Sequence, residues 1–166
     1  MIHKAYSRLW MIKRLKKRGA SLDDLTEIYT KQVRSVLEFG VPVWNSALTK
    51  DESHNIERVQ KSFLHIALGN GYRSYQTAIE QANLENLEER RTKICRNFAE
   101  KAAKHPKHKH WFVPNNPPGP STRSKKVEYK VPISRLSRFK KSPIPYLTSL
   151  LNTSQCSMST GFVCDY

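Results

Sequence analysis

The stretch Gly40-Val41-Pro42-Val43-Trp44 constrains this chain more than any other. It joins two segments whose apolar residues recur at helical spacing, where a solvated connection would carry polar side chains. Gly40 suits the left-handed backbone that stops a helix, and Pro42 disfavours the α region at Val41. The stretch therefore predicts a buried corner, a short extended bridge over residues 41–48. Trp44 and Leu48 would wedge between the second and third helices, and Gly40, Pro42 and Trp44 are the expected structural residues. If Trp44 is buried, Trp44→Ala should cost about 3–5 kcal/mol, a large part of a domain's stability.

Five helical segments surround that corner. Residues 3–18 set Ala5, Tyr6, Leu9, Trp10, Ile12 and Leu15 on one side, leave the rest of the surface cationic, and stop at Gly19. The aromatic rings of Tyr6 and Trp10 could stack on bases, but their spacing suits packing on helix two, and core is the expectation. Ser21 with Asp24 makes an approximate capping box for a second helix, striped by Leu22, Leu25, Ile28, Tyr29, Val33, Val36 and Leu37. Thr49 with Glu52 caps a third, about 50–68, with Ile56, Val59, Phe63, Ile66 and Ala67 along one face. A short helix from Ser74 to about Ala82 follows. A last one, about 85–104, carries Leu87, Ile94, Cys95, Phe98 and Ala102 inward and charges matched to its dipole. Cys95 lies on that apolar face and is expected to be a small buried hydrophobe.

Residues 113–126, VPNNPPGPSTRSKK, hold four prolines and no apolar periodicity, so they read as a basic linker. Residues 127–152 form a short extension in which VEYKVPISRLSRF suits a strand or a partner surface and SPIPYLTSLLN a single helical turn. Residues 153–166 read as a disordered tail. The expectation is a mainly α protein: a small helical bundle over residues 1–112 with a Pro-rich, partly disordered C-terminal extension.

Charge is segregated. The net charge is +15 over 166 residues. Residues 1–18 hold seven Lys/Arg and no acid, and residues 121–141 hold eight against Glu128 alone. The intervening residues 19–120 hold fourteen against twelve acids. Two cationic flanks around a nearly neutral body attract polyanions, above all nucleic acid, by releasing condensed counterions. Solubilising flanks or a nuclear-import signal are the plainer explanations of the same charge. Lys13, Arg14, Lys16, Lys17 and Arg18 cannot all be buried and are the first candidate phosphate contacts. Lys125, Lys126, Arg138, Lys140 and Lys141 are a second, looser set.

Bond chemistry finds no support. Asp23-Asp24 resembles a polymerase aspartate pair only superficially, since Ser21 stands where an aromatic would be needed; both acids open a helix, where carboxylates satisfy free N–H groups. His105, His108 and His110 lack cysteines at finger or knuckle spacing, and a cationic surface turn is expected rather than zinc. No P-loop, GxSxG or HExxH occurs. No catalytic residue, metal or cofactor is expected. Cys95, Cys156 and Cys164 share no CxxC and leave one over in any pairing, which points to an intracellular, reduced setting, nucleus or cytoplasm. No run of 18 apolar residues suits a membrane span, and MIHKAYSRLW does not read as a secretory signal.

The order of these pieces carries a resemblance. RLWMIKRLKKRG, then YTKQVRSVLEFGVPVWNSAL, then IERVQKSFLHIALG is similar to the region after the palm in reverse transcriptases of non-LTR (LINE, jockey-like) retrotransposons. Tyr29, Val33, Leu37, Phe39, Gly40, Trp44, Leu48, Ile56, Glu57, Val59 and Gln60 stand at that family's pattern positions. LENLEERRTKICRNFAEKAAKHPKHKHWF and RFKKSPIPYLTSLLN resemble its later segments, so the similarity covers about residues 4–152. It implies a thumb and C-terminal extension that clamp template–primer duplex, an RNA–DNA hybrid or other duplex, with weak sequence preference. It also implies that fingers, palm and the metal-binding aspartates of the RNA-directed DNA polymerase lie upstream of Met1, and that this piece alone is not an enzyme. An inert remnant and a protein-interaction module are the alternatives.

Overall fold

A computed structural model describes residues 1–115, 129–133 and 135–158, with side chains through Thr153. The architecture is mainly α, a helical bundle with no strand among the described residues. Its helices are α1 (Ile2–Lys17), α2 (Leu22–Ile28), α3 (Ser35–Glu38), α4 (Val41–Trp44), α5 (Lys50–Leu68), α6 (Tyr75–Gln81), α7 (Leu87–Lys104), α8 (Ser137–Lys140) and α9 (Pro143–Met158). Two compact units share the chain. The first comprises Met1–Val41 and Leu48–Arg91, the second Pro42–Ala47 and Thr92–Tyr166.

In the first unit α1 packs on α5 and on the segment following α2. Its inward stripe is Ala5, Leu9 and Ile12, against Leu25, Tyr29, Val33 and Leu37 of the second helical run and Ile56, Val59 and Phe63 of α5, all buried. That second run is not one regular helix. Residues Tyr29–Arg34 form a π-helical segment between α2 and α3. Leu25, Tyr29, Val33 and Leu37 recur every fourth residue, which on an α-helix drifts about 40° per step. A widened π turn removes part of that drift and keeps all four on the core. Thr30 Oγ1 and Ser35 Oγ donate back to the carbonyls of Glu27 and Lys31 at 2.8 and 2.7 Å, and Arg8 of α1 donates to the carbonyl of Gln32. These side-chain donors hold backbone oxygens in the distorted stretch.

The core of this unit contains a polar network. Tyr29 stacks on Phe63 with ring centres 4.1 Å apart, and its hydroxyl donates to Gln60 Oε1 at 3.0 Å. Gln60 Nε2 donates to the Glu85 carbonyl at 2.9 Å and to the Tyr75 hydroxyl at 3.2 Å. Tyr75 donates to Glu57, which also accepts the Leu87 amide at 3.3 Å. One glutamine, 0% exposed, thereby links the π segment, α6 and the approach to α7. A buried amide with its oxygen and nitrogen both engaged meets the condition for burying polar atoms cheaply. Burial raises the hydroxyl pKa of both tyrosines, reinforced at Tyr75 by its bond to Glu57.

The two capping boxes read from the sequence are present, and Ser74, expected only to start a helix, forms a third. Ser21 with Asp24, Thr49 with Glu52 and Ser74 with Thr77 form capping boxes. Asp23 and Asp24 lie in the first turn of α2. Gly40, at φ +67°, has the left-handed backbone expected of it. The bridge beyond it is corrected: residues 41–44 are helical, followed by a 3₁₀ turn at Asn45–Ala47. Pro42 sits in the first turn of α4, where it forfeits no intrahelical donor and its fixed φ suits the helix. Trp44 is half-buried, so the cost of losing a fully buried tryptophan does not apply. Val41, 0% exposed, completes the first unit's core instead.

In the second unit Cys95, Ala99, Ala102, Phe112, Leu147 and Leu151 are buried. Asn45 Nδ2 donates to the Tyr146 hydroxyl at 3.1 Å. The Asn152 side chain accepts from the Tyr129 amide at 3.1 Å and donates to its carbonyl at 3.0 Å. An isolated bridge pairs Pro114 with Tyr129 where a strand was one expectation. The expected single closing turn is a correction too, since α9 runs sixteen residues and reaches Met158, into the segment expected to be disordered. Residues 116–128, most of the expected linker, lie outside the described residues, as do residues 159–166.

Candidate nucleic-acid interface

The outer surface of α1 is built by its C-terminal stop. Arg18 caps the helix, and Gly19 enters the left-handed region at φ +87°. The Ala20 amide then bonds back to the Leu15 carbonyl at 3.2 Å and the Gly19 amide to Lys16 at 3.1 Å, the pairing of a Schellman motif. Arg14, Lys16 and Lys17 occupy the last turn, where cations complement the helix dipole. The first turn holds no acid. Lys13, Arg14, Lys16, Lys17 and Arg18 are all exposed. Among the described residues no carboxylate forms an ion pair with any of them. Arg8, the other cation at mid-helix, is partly withdrawn because its guanidinium is spent on the Gln32 carbonyl.

The aromatic residues of α1 are not where the spacing placed them. Trp10 is 61% and Tyr6 40% exposed, so both are corrected from core to surface. Two stripes run along this helix one residue apart: Ala5, Leu9 and Ile12 inward, Tyr6, Trp10 and Lys13 with Arg14 outward. Only the first is buried. The Arg14 guanidinium carbon lies 4.7 Å from the Trp10 ring centre, a cation–π pair at i, i+4 spacing.

The second set of cations belongs to the other unit. Arg138 and Lys140 are exposed on α8, and Lys141 follows it, also exposed. Lys140 and Lys141 line a cleft of about 580 Å³ with Ile133, Pro145 and Tyr146. Lys125 and Lys126 lie outside the described residues.

One ionic cluster elsewhere has structural partners. Glu38 pairs with Arg34 at 3.4 Å and with Arg90, which also reaches Glu85 at 3.8 Å. Burial, then the neighbouring Arg90 charge, lowers the Arg34 pKa. His105, His108 and Trp111 form a run of tilted rings at 5.1 and 4.4 Å. Among the described residues no three His, Cys, Asp or Glu side chains converge as a metal set, and no helix is long and apolar enough to cross a membrane.

Such a surface can hold phosphates without reading bases. Compared with known protein families, curated proteins and solved structures, the chain matches none.

Proposed function

We propose that this chain is a non-catalytic, thumb-like module of a retrotransposon RNA-directed DNA polymerase that grips template–primer duplex by its backbone. The observation that carries the reading is α1. Five cations in the last six positions up to its cap all face water, and the opposite side of the helix is buried in a core. A helix anchored on one face presents its charges in fixed order, and backbone contact of this kind positions a duplex with little sequence preference. The family part of the reading rests on the ordered motif series. Tyr29, Val33, Leu37, Ile56, Val59 and Gln60 from that series are core residues here, which gives their pattern a packing reason.

Exposed Trp10 and Tyr6 favour one rival, a surface that pairs with another protein, since exposed aromatic residues often mark such interfaces. Fluorescence anisotropy with a labelled RNA–DNA hybrid separates the readings. Lys13→Glu/Arg14→Glu/Lys17→Glu should lose at least about tenfold in affinity. Equal binding by variant and wild type, or none by either, would remove the proposal and leave the remnant or protein-interaction reading.

A further inference from the structure

We propose that the outward stripe of α1 is a base-stacking platform, so that this face takes a nucleic-acid strand with an unpaired base rather than uninterrupted duplex. The inference rests on the nucleic-acid reading above and narrows its ligand. Trp10, 61% exposed, has its ring held by Arg14 from the next turn, 4.7 Å away, and Tyr6, 40% exposed, precedes it by one turn. An indole in water exposes a large apolar area that this helix had the option to bury, since its inward stripe is one residue away. Lone surface aromatics need no explanation. Two on one stripe, flanked by Lys13, Arg14 and Lys17 with no acid on the helix, match a strand that offers a π-face and a phosphate at every nucleotide.

Spacing supports an unpaired base. Four helical residues advance about 6 Å along the axis, nearly twice the 3.4 Å rise between stacked bases of one strand. Tyr6 and Trp10 therefore cannot each cover successive bases of a closed stack. A base splayed from its neighbours can lie on the indole beside the guanidinium, with its phosphates toward Lys13 and Lys17. Nothing in this arrangement reads a base edge, so the preference is for unpaired bases of any sequence.

Three labelled hairpins of equal phosphate number test this: one with a single-stranded overhang, one with the same overhang lacking its bases, and one blunt. Wild-type protein should bind the base-bearing overhang about tenfold more tightly than the other two. Trp10→Ala should abolish that preference with an unchanged salt slope, and Trp10→Phe should keep most of it. Thermal melts of both variants should match wild type, because the ring is outside the core. Equal binding of all three hairpins by wild type overturns the inference, and if the Lys13/Arg14/Lys17 variant still weakens all three, the backbone grip survives it. Failure of every hairpin to bind overturns both.

Discussion

Gln60 illustrates how much one side chain decides. Its amide is 0% exposed and accepts from Tyr29 at 3.0 Å while donating to Glu85 and Tyr75. Removing the Tyr29 hydroxyl leaves the Gln60 oxygen without that donor inside the core. Tyr29→Phe should therefore destabilise by about 1–3 kcal/mol in urea titrations. The same residues set a pH limit. Burial holds the Tyr29 and Tyr75 phenols neutral above the ordinary value of 10.0, so above that pH the unfolded chain binds fewer protons than the folded one. Stability from this source is complete below pH 10 and declines as pH rises further. Denaturation midpoints followed through alkaline pH should fall, and Tyr29→Phe should fall less steeply.

At the level of elements, caps and stops do most to delimit the helices. Thr49 bonds the Glu52 amide at 3.2 Å, and Glu52 reaches back to the Thr49 amide at 2.9 Å. Thr49→Ala should cost about 1 kcal/mol by chemical denaturation. The Thr49 backbone N–H, then its hydroxyl, lower the Glu52 pKa below its ordinary 4.5. Its contribution is present above that value and is lost as pH falls through the folded pKa. Glu52→Gln should remove this acid-side dependence, read as the difference between the two midpoints from pH 6 down.

These caps were legible in sequence because Ser or Thr followed three residues on by a partner has a local geometry that no distant packing overrides. Gly19 and Gly40 were legible for the same reason. The π segment was not, since a fourfold spacing over Leu25, Tyr29, Val33 and Leu37 reads as an ordinary helical stripe and only packing reveals the widened turn. The corner after Gly40 was misread because Pro42 argues equally for an extended step and for a first helical turn. Tyr6 and Trp10 were misplaced because they run one residue behind Ala5 and Leu9. Periodicity alone cannot say which of two adjacent stripes is inward, and the spacing of the two rings put both on the side facing helix two.

On the scale of the molecule, cations are segregated from a body that balances its charges internally. Glu38, Arg34, Arg90 and Glu85 pair among themselves, and the cations from Lys13 to Arg18 are left to water. Sequence counting located that asymmetry, since long runs of like charge have nowhere to be buried. It could not show that Arg8 is withdrawn to Gln32. The direct test is the dependence of affinity for duplex on salt concentration, compared between wild type and Lys13→Gln/Arg14→Gln/Lys17→Gln. The expected result is a linear log–log fall, with a slope near −0.9 per phosphate neutralised on B-form duplex, made shallower by about 2–3 in the variant. A flat plot, or the same slope in both proteins, would contradict a phosphate grip by α1.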